Sequence, residues 1–290
     1  MSIYPSNGAQ PFLKWAGGKG QLLGQYAQYF PRTSNGTYFE PFLGSGAVFF
    51  YLHGSGLFSR YYLSDTNAEL INLFVVVRDK HEELLEQLKI HKEKHSKDYY
   101  YKVRELDRSP EWKNTSDVVR AARMLYLNKT CFNGLWRVNS QGYFNVPMGH
   151  YKNPDIYNPE RISKASRALQ DVVISCQGFE AVVEQATAGD FVYFDPPYVP
   201  LNSTSNFTEY SADSFTEQDQ ARLASVYREL DKLGCQVMLS NSDTPLVKKL
   251  YQGFNIIKVD ARRAINSKPG RRGAIKEVLI MNYSKPRRRK

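Results

Sequence analysis

The sequence predicts an α/β fold built on a parallel sheet, with a mainly helical domain inserted into it. Three observations predict it. Short apolar runs alternate with helical patterns, as strands linked by helices do. A glycine turn follows the first run and an acid ends the second, at the spacing of a nucleoside-binding α/β unit. A long, charged, helical stretch then interrupts the strands.

The elements follow in order. Tyr38–Glu40 reads as a short strand, and "PFLGSGAVFFYL" as a turn running into a helix. "YYLSD" (Tyr61–Asp65) is a second strand ending in an acid. From Asn67 to about Arg108 apolar residues recur at helical spacing among many charges, and Val118–Leu127 continues that pattern. "CFNGLWRVNSQGYFNVP" (Cys131–Pro147) alternates and holds two glycine turns, which predicts an irregular hairpin. "DVVIS", "DFVYFD", "CQVMLSNSD", "FNIIKVDA" and "EVLIMNY" resume the strand pattern. No internal repeat is present, and the tail "KPRRRK" is the one low-complexity piece.

With 290 residues the chain suits one large domain, or one domain carrying a second. Hydrophobic residues make up 42%, enough for a substantial core. The net charge of +10 and a pI near 9.3 point to a polyanionic partner, nucleic acid first. A generally basic cytoplasmic protein has the same balance. Cys131, Cys176 and Cys235 are widely spaced and odd in number, which excludes a disulfide framework and a zinc pattern and fits a reducing compartment. The N-terminus lacks an apolar signal core, and no apolar run is long enough to span a membrane. The expected location is the cytoplasm, with no membrane partner.

The chemistry concentrates in Asp195, Pro196, Pro197 and Tyr198, which follow the apolar run Phe191–Phe194. This set suits a flat ring that bears an amine. The carboxylate accepts one hydrogen bond from an exocyclic NH₂, and the carbonyl before a proline is fixed in direction and accepts a second. The tyrosine offers a stacking face. Two acceptors draw the amine hydrogens out of the ring plane and free the lone pair for attack on a methyl group.

In "EPFLGSG", Gly44 and Gly46 let a ligand approach the backbone at a strand-to-helix turn, and Asp65 stands where an acid grips ribose hydroxyls. Taken singly, Asp65 also suits an N-cap ahead of "NAELIN". "FLKWAGGKGQLL" places an aromatic and two lysines, Lys14 and Lys19, around small turn residues. They fit an anionic group, or an ordinary turn with solvated lysines. Asn133, Arg137, Asn139 and Asn145 are interleaved with Phe132, Trp136, Tyr143, Phe144 and Tyr151. Base-edge readers mixed with stacking or wedging rings read as a duplex-binding surface, and equally as a hairpin with a packed aromatic face. "VDARRAINSKPGRRGAIKE" reads as a basic loop for phosphates or as a solvated loop.

The ordered set "FLKWAGGK", "EPFLGSG", "LSDTNAELI", "NGLWRVNSQGYFNVPMG", "FDPPY" and "NFTEYSADSFTEQDQARLA" resembles the DNA adenine methyltransferase (Dam) family over nearly the whole chain. The resemblance implies a Rossmann-like, S-adenosylmethionine-dependent methyltransferase fold. It also implies an inserted, mainly helical target-recognition domain bearing a β-hairpin. The implied boundaries are 1–66 and 157–284 for the catalytic domain, 67–156 for the recognition domain and 285–290 for a basic tail. The implied reaction is methyl transfer from S-adenosylmethionine, without a metal, to the 6-amino group of adenine in double-stranded GATC. A monomer is implied, acting on DNA in a bacterial cell or phage-infected host.

By the same resemblance Trp15, Lys19, Gly44, Gly46, Asp65 and Asp195 border the methyl donor, and Asp195 to Tyr198 hold the target adenine. Lys14 contacts the first guanine. Asn133, Leu135, Arg137 and Pro147 stand at base-reading positions, Tyr151 at a DNA-contacting one and Phe132 at that of an intercalating aromatic, often tyrosine in the family. Arg271 and Arg272 belong to the basic loop and serve phosphates. A methyltransferase acting on RNA or on a protein glutamine shares part of this set, but a protein substrate needs neither the basic loop nor the base-reading residues. A DNA-binding regulator on an inactive methyltransferase fold would not need an intact "DPPY", glycine turn and Asp65.

Overall fold

The computed structural model describes residues 8–31, 36–200, 215–261 and 275–285. Arg271, Arg272, most of the basic loop, the basic tail and the first part of the Asn206–Ala224 segment lie outside them. The strands are β1 (Thr37–Glu40), β2 (Arg60–Asp65), β3 (Val173–Cys176), β4 (Phe191–Phe194), β5 (Gln236–Ser242), β6 (Asn255–Ala261) and β7 (Ile275–Met281). The helices are α1 (Leu23–Tyr26), α2 (Ala47–His53), α3 (Ala68–Asp79), α4 (His81–Glu93), α5 (Lys97–Glu105), α6 (Asp117–Thr130), α7 (Pro159–Leu169), α8 (Val182–Gln185), α9 (Glu217–Lys232) and α10 (Pro245–Leu250).

The seven strands form one sheet in the order β3-β2-β1-β4-β5-β7-β6. The parallel expectation holds for β1, β4 and β5, with Tyr38 opposite Phe191 and Phe194 opposite Leu239. It fails for β7, which runs antiparallel to β5 and to β6. The physical reason lies in the connections. A parallel neighbour needs a crossover connection, usually a helix, whereas antiparallel neighbours such as β5 with β7 and β6 with β7 do not. Phe191–Phe194 is buried along its whole length, as a strand covered on both faces requires.

The helical stretch expected from Asn67 to about Arg108 forms three helices, α3, α4 and α5. The backbone at Lys80 leaves helical geometry (φ −137°, ψ 37°) and ends α3. Ser96 is extended and caps α5 by accepting from Tyr99 N–H. Apolar periodicity carries through both breaks because all three helices bury one face, so it could not reveal them.

The chain divides into two compact units, one within Met1–Gly20, Leu43–Gly56 and Leu63–Gln177 and one within Gln21–Phe42, Leu57–Tyr62 and Gly178–Lys290. The second unit buries Val192, Phe194, Leu223, Tyr227, Leu239 and Val278 in a shared core. Each such side chain contributes about 1.5–3 kcal/mol of burial. The first unit has a smaller core in which Tyr100, Tyr126 and Leu127 pack with Phe144, Val146 and Ile156. No helix of the described residues is long and apolar enough to cross a membrane.

The helices of the first unit contain a pH-sensitive contact. The His91 ring stacks on Tyr126 at 4.7 Å, and its Nδ1 lies 2.9 Å from the Tyr99 hydroxyl. Burial, with Lys94 nearby, pulls its pKa down to about 4. The folded state therefore keeps His91 neutral while the unfolded chain protonates it below about 6.5. Stability from this site is full above pH 6.5 and falls as pH drops toward 4, by about 2 kcal/mol at pH 5. Urea unfolding at pH 7 and pH 5 should show that loss in the wild type and little of it in His91→Gln. An equal pH response in both chains would rule His91 out as its source.

Candidate active site

In the second unit, Asp195 stands at the C-terminal end of β4, where open α/β sheets place their ligands. The register that pairs Phe194 with Leu239 sets Ser240 of β5 beside it. Ser240 Oγ donates to Asp195 Oδ1 at 2.8 Å and lies 3.0 Å from the Tyr193 hydroxyl. With the serine proton committed to the carboxylate, the tyrosine is the donor of the second bond, so a chain of hydroxyls orients Asp195 from the core side.

The rest of the "DPPY" turn is fastened from α9, β5 and β7. Gln220 Nε2 donates to the Pro197 carbonyl at 2.9 Å, and Asn241 Nδ2 donates to Gln220 Oε1 at 3.1 Å. Asn241 Oδ1 accepts from Val199 N–H at 3.3 Å, while Ser242 Oγ donates to the Val199 carbonyl at 2.6 Å. Tyr198 donates its hydroxyl to Glu277 Oε2 at 2.8 Å, and Tyr26 donates to the same oxygen at 3.0 Å. Burial, reinforced by the Asp195 and Glu277 carboxylates, pushes both phenols well above the ordinary tyrosine range. Both stay protonated and act as donors. The tyrosine ring, the carboxylate and the proline turn are thus held before any ring arrives.

In the first unit two of the predicted donor-site residues, Trp15 and Asp65, meet at Gly44. This glycine is left-handed (φ +49°), and a Cβ on it would sit 2.9 Å from Trp15 Cδ1, so only glycine lets the Trp15 ring lie against the turn. Gly46 is left-handed as well (φ +67°) and precedes α2. Asp65 Oδ2 accepts from Gly44 N–H at 3.2 Å and Oδ1 from Asn67 N–H at 3.0 Å. The capping alternative for Asp65 is not what forms: the N-cap of α3 is Asn67, whose side chain accepts from Leu70 N–H. Burial raises the Asp65 pKa, against the pull of the Asn67, Gly44 and Thr66 N–H groups. Lys19 is 3% exposed and donates to the Gly17 carbonyl at 2.6 Å, so it is not a solvated lysine. A half-buried carboxylate at a strand end, beside bare backbone and an indole face, suits the hydroxyls and flat base of a nucleoside.

The base-reading candidates lie in the same unit. Phe132 is 47% exposed in a turn closed by Asn133 (φ 57°), and its N–H donates to the Pro147 carbonyl at 2.8 Å. Arg137 is exposed, and its Nε donates to Asn145 Oδ1 at 2.7 Å. Leu135 is half-buried and Pro147 exposed. Only two isolated bridges link this segment among the described residues, Val138 with Phe144 and Cys131 with Met148. Of its aromatics, Phe144 is buried and Trp136 packs on it at 4.8 Å. Packed and exposed side chains therefore alternate within one segment. Lys14 is exposed, with Nζ 3.3 Å from the Tyr151 hydroxyl.

Ser240, Gln220, Asn241, Glu277 and Tyr26 were missed in the sequence. "LSNSD" at the end of an apolar strand was a signal for two of these positions, since Ser240 and Asn241 sit in β5 with almost no exposure. Nothing local marks Glu277 or Tyr26.

The class is that of methyltransferases acting on an adenine amine. The chain belongs to the D12 class N6 adenine-specific DNA methyltransferase family, whose model matches residues 15–265. It is 46% identical over 287 residues to Type II methyltransferase M.MjaIII of Methanocaldococcus jannaschii, covering 94% of this chain and 99% of that one. It is 45% identical to Type II methyltransferase M1.LlaDCHI of Lactococcus lactis subsp. cremoris, covering 94% and 95%. It is 37% identical to the DNA adenine methylase of Escherichia coli (strain K12), covering 93% and 94%. The protein is a site-specific DNA adenine-N6 methyltransferase of an S-adenosylmethionine-dependent family, and DNA is its substrate.

Proposed function

We propose that the enzyme methylates adenine-N6 within double-stranded GATC, by flipping the adenine into the "DPPY" pocket. The observation that carries the pocket assignment is the fastening of Asp195 and Tyr198 by Ser240 and Glu277. Such fastening serves a reaction that depends on positioning. The site sequence rests on the match of Asn133, Leu135, Arg137 and Pro147 to the base-reading positions of the Dam family, and is supported by a relative named DNA adenine methylase.

Trp15, Lys19, Gly44, Gly46 and Asp65 would hold S-adenosylmethionine, with Asp65 accepting from the ribose hydroxyls. Bound there, the donor supplies a methyl group already activated on sulfonium. The protein's part is to deliver the amine. Extracting adenine from the stack costs a few kcal/mol. Phe132 offsets part of this by filling the gap in the duplex. Asp195 and the Pro196 carbonyl accept the two N6 hydrogens, and Tyr198 stacks on the ring. Asp195 need not take a proton before attack, because methylation acidifies the amine and the proton leaves afterwards. Residues 67–156 would be the recognition domain, and 1–66 with 157–284 the catalytic one. The enzyme would work as a monomer in the cytoplasm.

The test is transfer of labelled methyl to two matched duplexes, one with a single GATC and one with that site scrambled. Label on the adenine of the first alone is expected; label on both would discard the GATC reading. In the same assay Arg137→Ala should lose about 1–3 kcal/mol of discrimination at one base pair. A uniform loss on every duplex would make Arg137 a phosphate contact.

A further inference from the structure

We infer that Asn128 is a positioning residue for sequence discrimination: with Gly134 it seats Lys14 for contact with a base pair. The inference rests on the base-contacting reading of Lys14. Asn128 lies near the end of α6 and is 0% exposed, and its side chain bonds Lys14 and Gly134. Its Oδ1 accepts from Lys14 N–H at 2.9 Å. Its Nδ2 donates to the Lys14 carbonyl at 2.7 Å and to the Gly134 carbonyl at 3.1 Å. Both amide hydrogens and one acceptor site are used on two segments far apart in sequence, and the amide clamps both backbone groups of Lys14 as a strand partner would.

Gly134 completes the seat. Its φ is +65°, and a Cβ there would stand 2.6 Å from Lys14 Cδ and 2.9 Å from Lys14 Cβ. The lysine stem therefore lies directly on the turn that carries Phe132 and Asn133. At the far end the ammonium is 4.6 Å above the Tyr151 ring and hydrogen-bonded to its hydroxyl. An exposed lysine ordinarily loses rotamer freedom when it binds. Here the backbone, stem and head are ordered beforehand, which lowers the cost of making one contact and raises the cost of making it in the wrong place.

The chemistry predicts how substitutions fail. Asn128→Asp keeps the acceptor for Lys14 N–H but sets a carboxylate oxygen against two carbonyls. Gly134→Ala pushes on the lysine stem from the other side. Neither residue contacts Arg137, whose bond runs to Asn145, so discrimination that depends on Arg137 should survive.

The experiment measures kcat/KM for the intact recognition duplex and for duplexes altered at one base pair each. Lys14→Ala should lose about 10- to 100-fold of discrimination at one base pair. Asn128→Asp should lose most of that factor at the same base pair and leave the others unchanged. In the double variant the two losses should not add, since both act through one side chain. Equal loss at every base pair, or additive losses, would overturn the inference and leave Asn128 a packing residue. If Asn128→Asp does not fold, Gly134→Ala is read by the same criteria. No effect of Lys14→Ala itself would overturn the reading of Lys14 and the inference with it. An effect of Lys14→Ala without one from Asn128→Asp or Gly134→Ala would overturn the inference alone.

Discussion

Asp195→Ala should lower the rate of methyl transfer by on the order of 10²–10³-fold or more while duplex binding stays nearly unchanged. The carboxylate is oriented by Ser240 from one side and stands next to the proline turn that Gln220 fastens. Alanine removes an acceptor for the amine and leaves the Ser240 hydroxyl facing a void. Single-turnover transfer measured alongside duplex affinity separates the two effects. Asp195→Asn keeps an acceptor oxygen without the charge and should retain more of the rate than alanine. Wild-type turnover by Asp195→Ala would sink the proposed mechanism, and parallel losses of rate and affinity would make Asp195 a structural residue.

Arg123→Ala should destabilise the protein by about 3–5 kcal/mol, the cost of leaving one member of a buried ion pair alone. The Arg123 and Asp107 side chains are only 3% and 9% exposed and meet at 2.7 Å. The guanidinium also donates from Nε to the Val103 carbonyl at 2.9 Å and lies 4.8 Å over the Trp112 ring. Asp107 Oδ2 accepts from Phe144 N–H at 2.8 Å, so the pair ties α5, α6 and the segment holding Phe144 to one point. Urea unfolding reads the loss. Adding Asp107→Asn to Arg123→Ala should recover part of it, because the buried Asp107 charge loses one of its two guanidinium partners and keeps only Arg108. A change below about 1 kcal/mol in Arg123→Ala would show that Arg108, which bonds Asp107 Oδ1 at 2.9 Å, holds the node alone.

Much of this molecule was legible before any coordinates. The turn "EPFLGSG" and the acid of "YYLSD" announce each other because a strand-turn-helix-strand unit fixes their separation along the chain, and Gly44 and Asp65 do meet. "FDPPY" needed no partner to be noticed, since a carboxylate and two prolines after a buried strand have few structural uses. The capping role open to Asp65 was legible only in kind: Asn67, two residues on, has the same competence and takes it.

What sequence alone determined is therefore local: the strands and their ends, the glycine-bearing turns, the residue types suited to an amine and to base edges. It determined these because spacing along a strand or helix sets which neighbours a side chain can have. Tertiary structure alone decided which distant groups complete the site. Ser240 reaches Asp195 because β5 is the parallel neighbour of β4, and Glu277 reaches Tyr198 because β7 reverses direction beside β5. Asn128 reaches Lys14 across more than a hundred residues of intervening chain. Strand order, strand direction and the folding-back of a loop onto a helix are set by the free energy of the whole packed core. A single carboxylate or amide in the chain carries no mark of the partner that packing will bring to it.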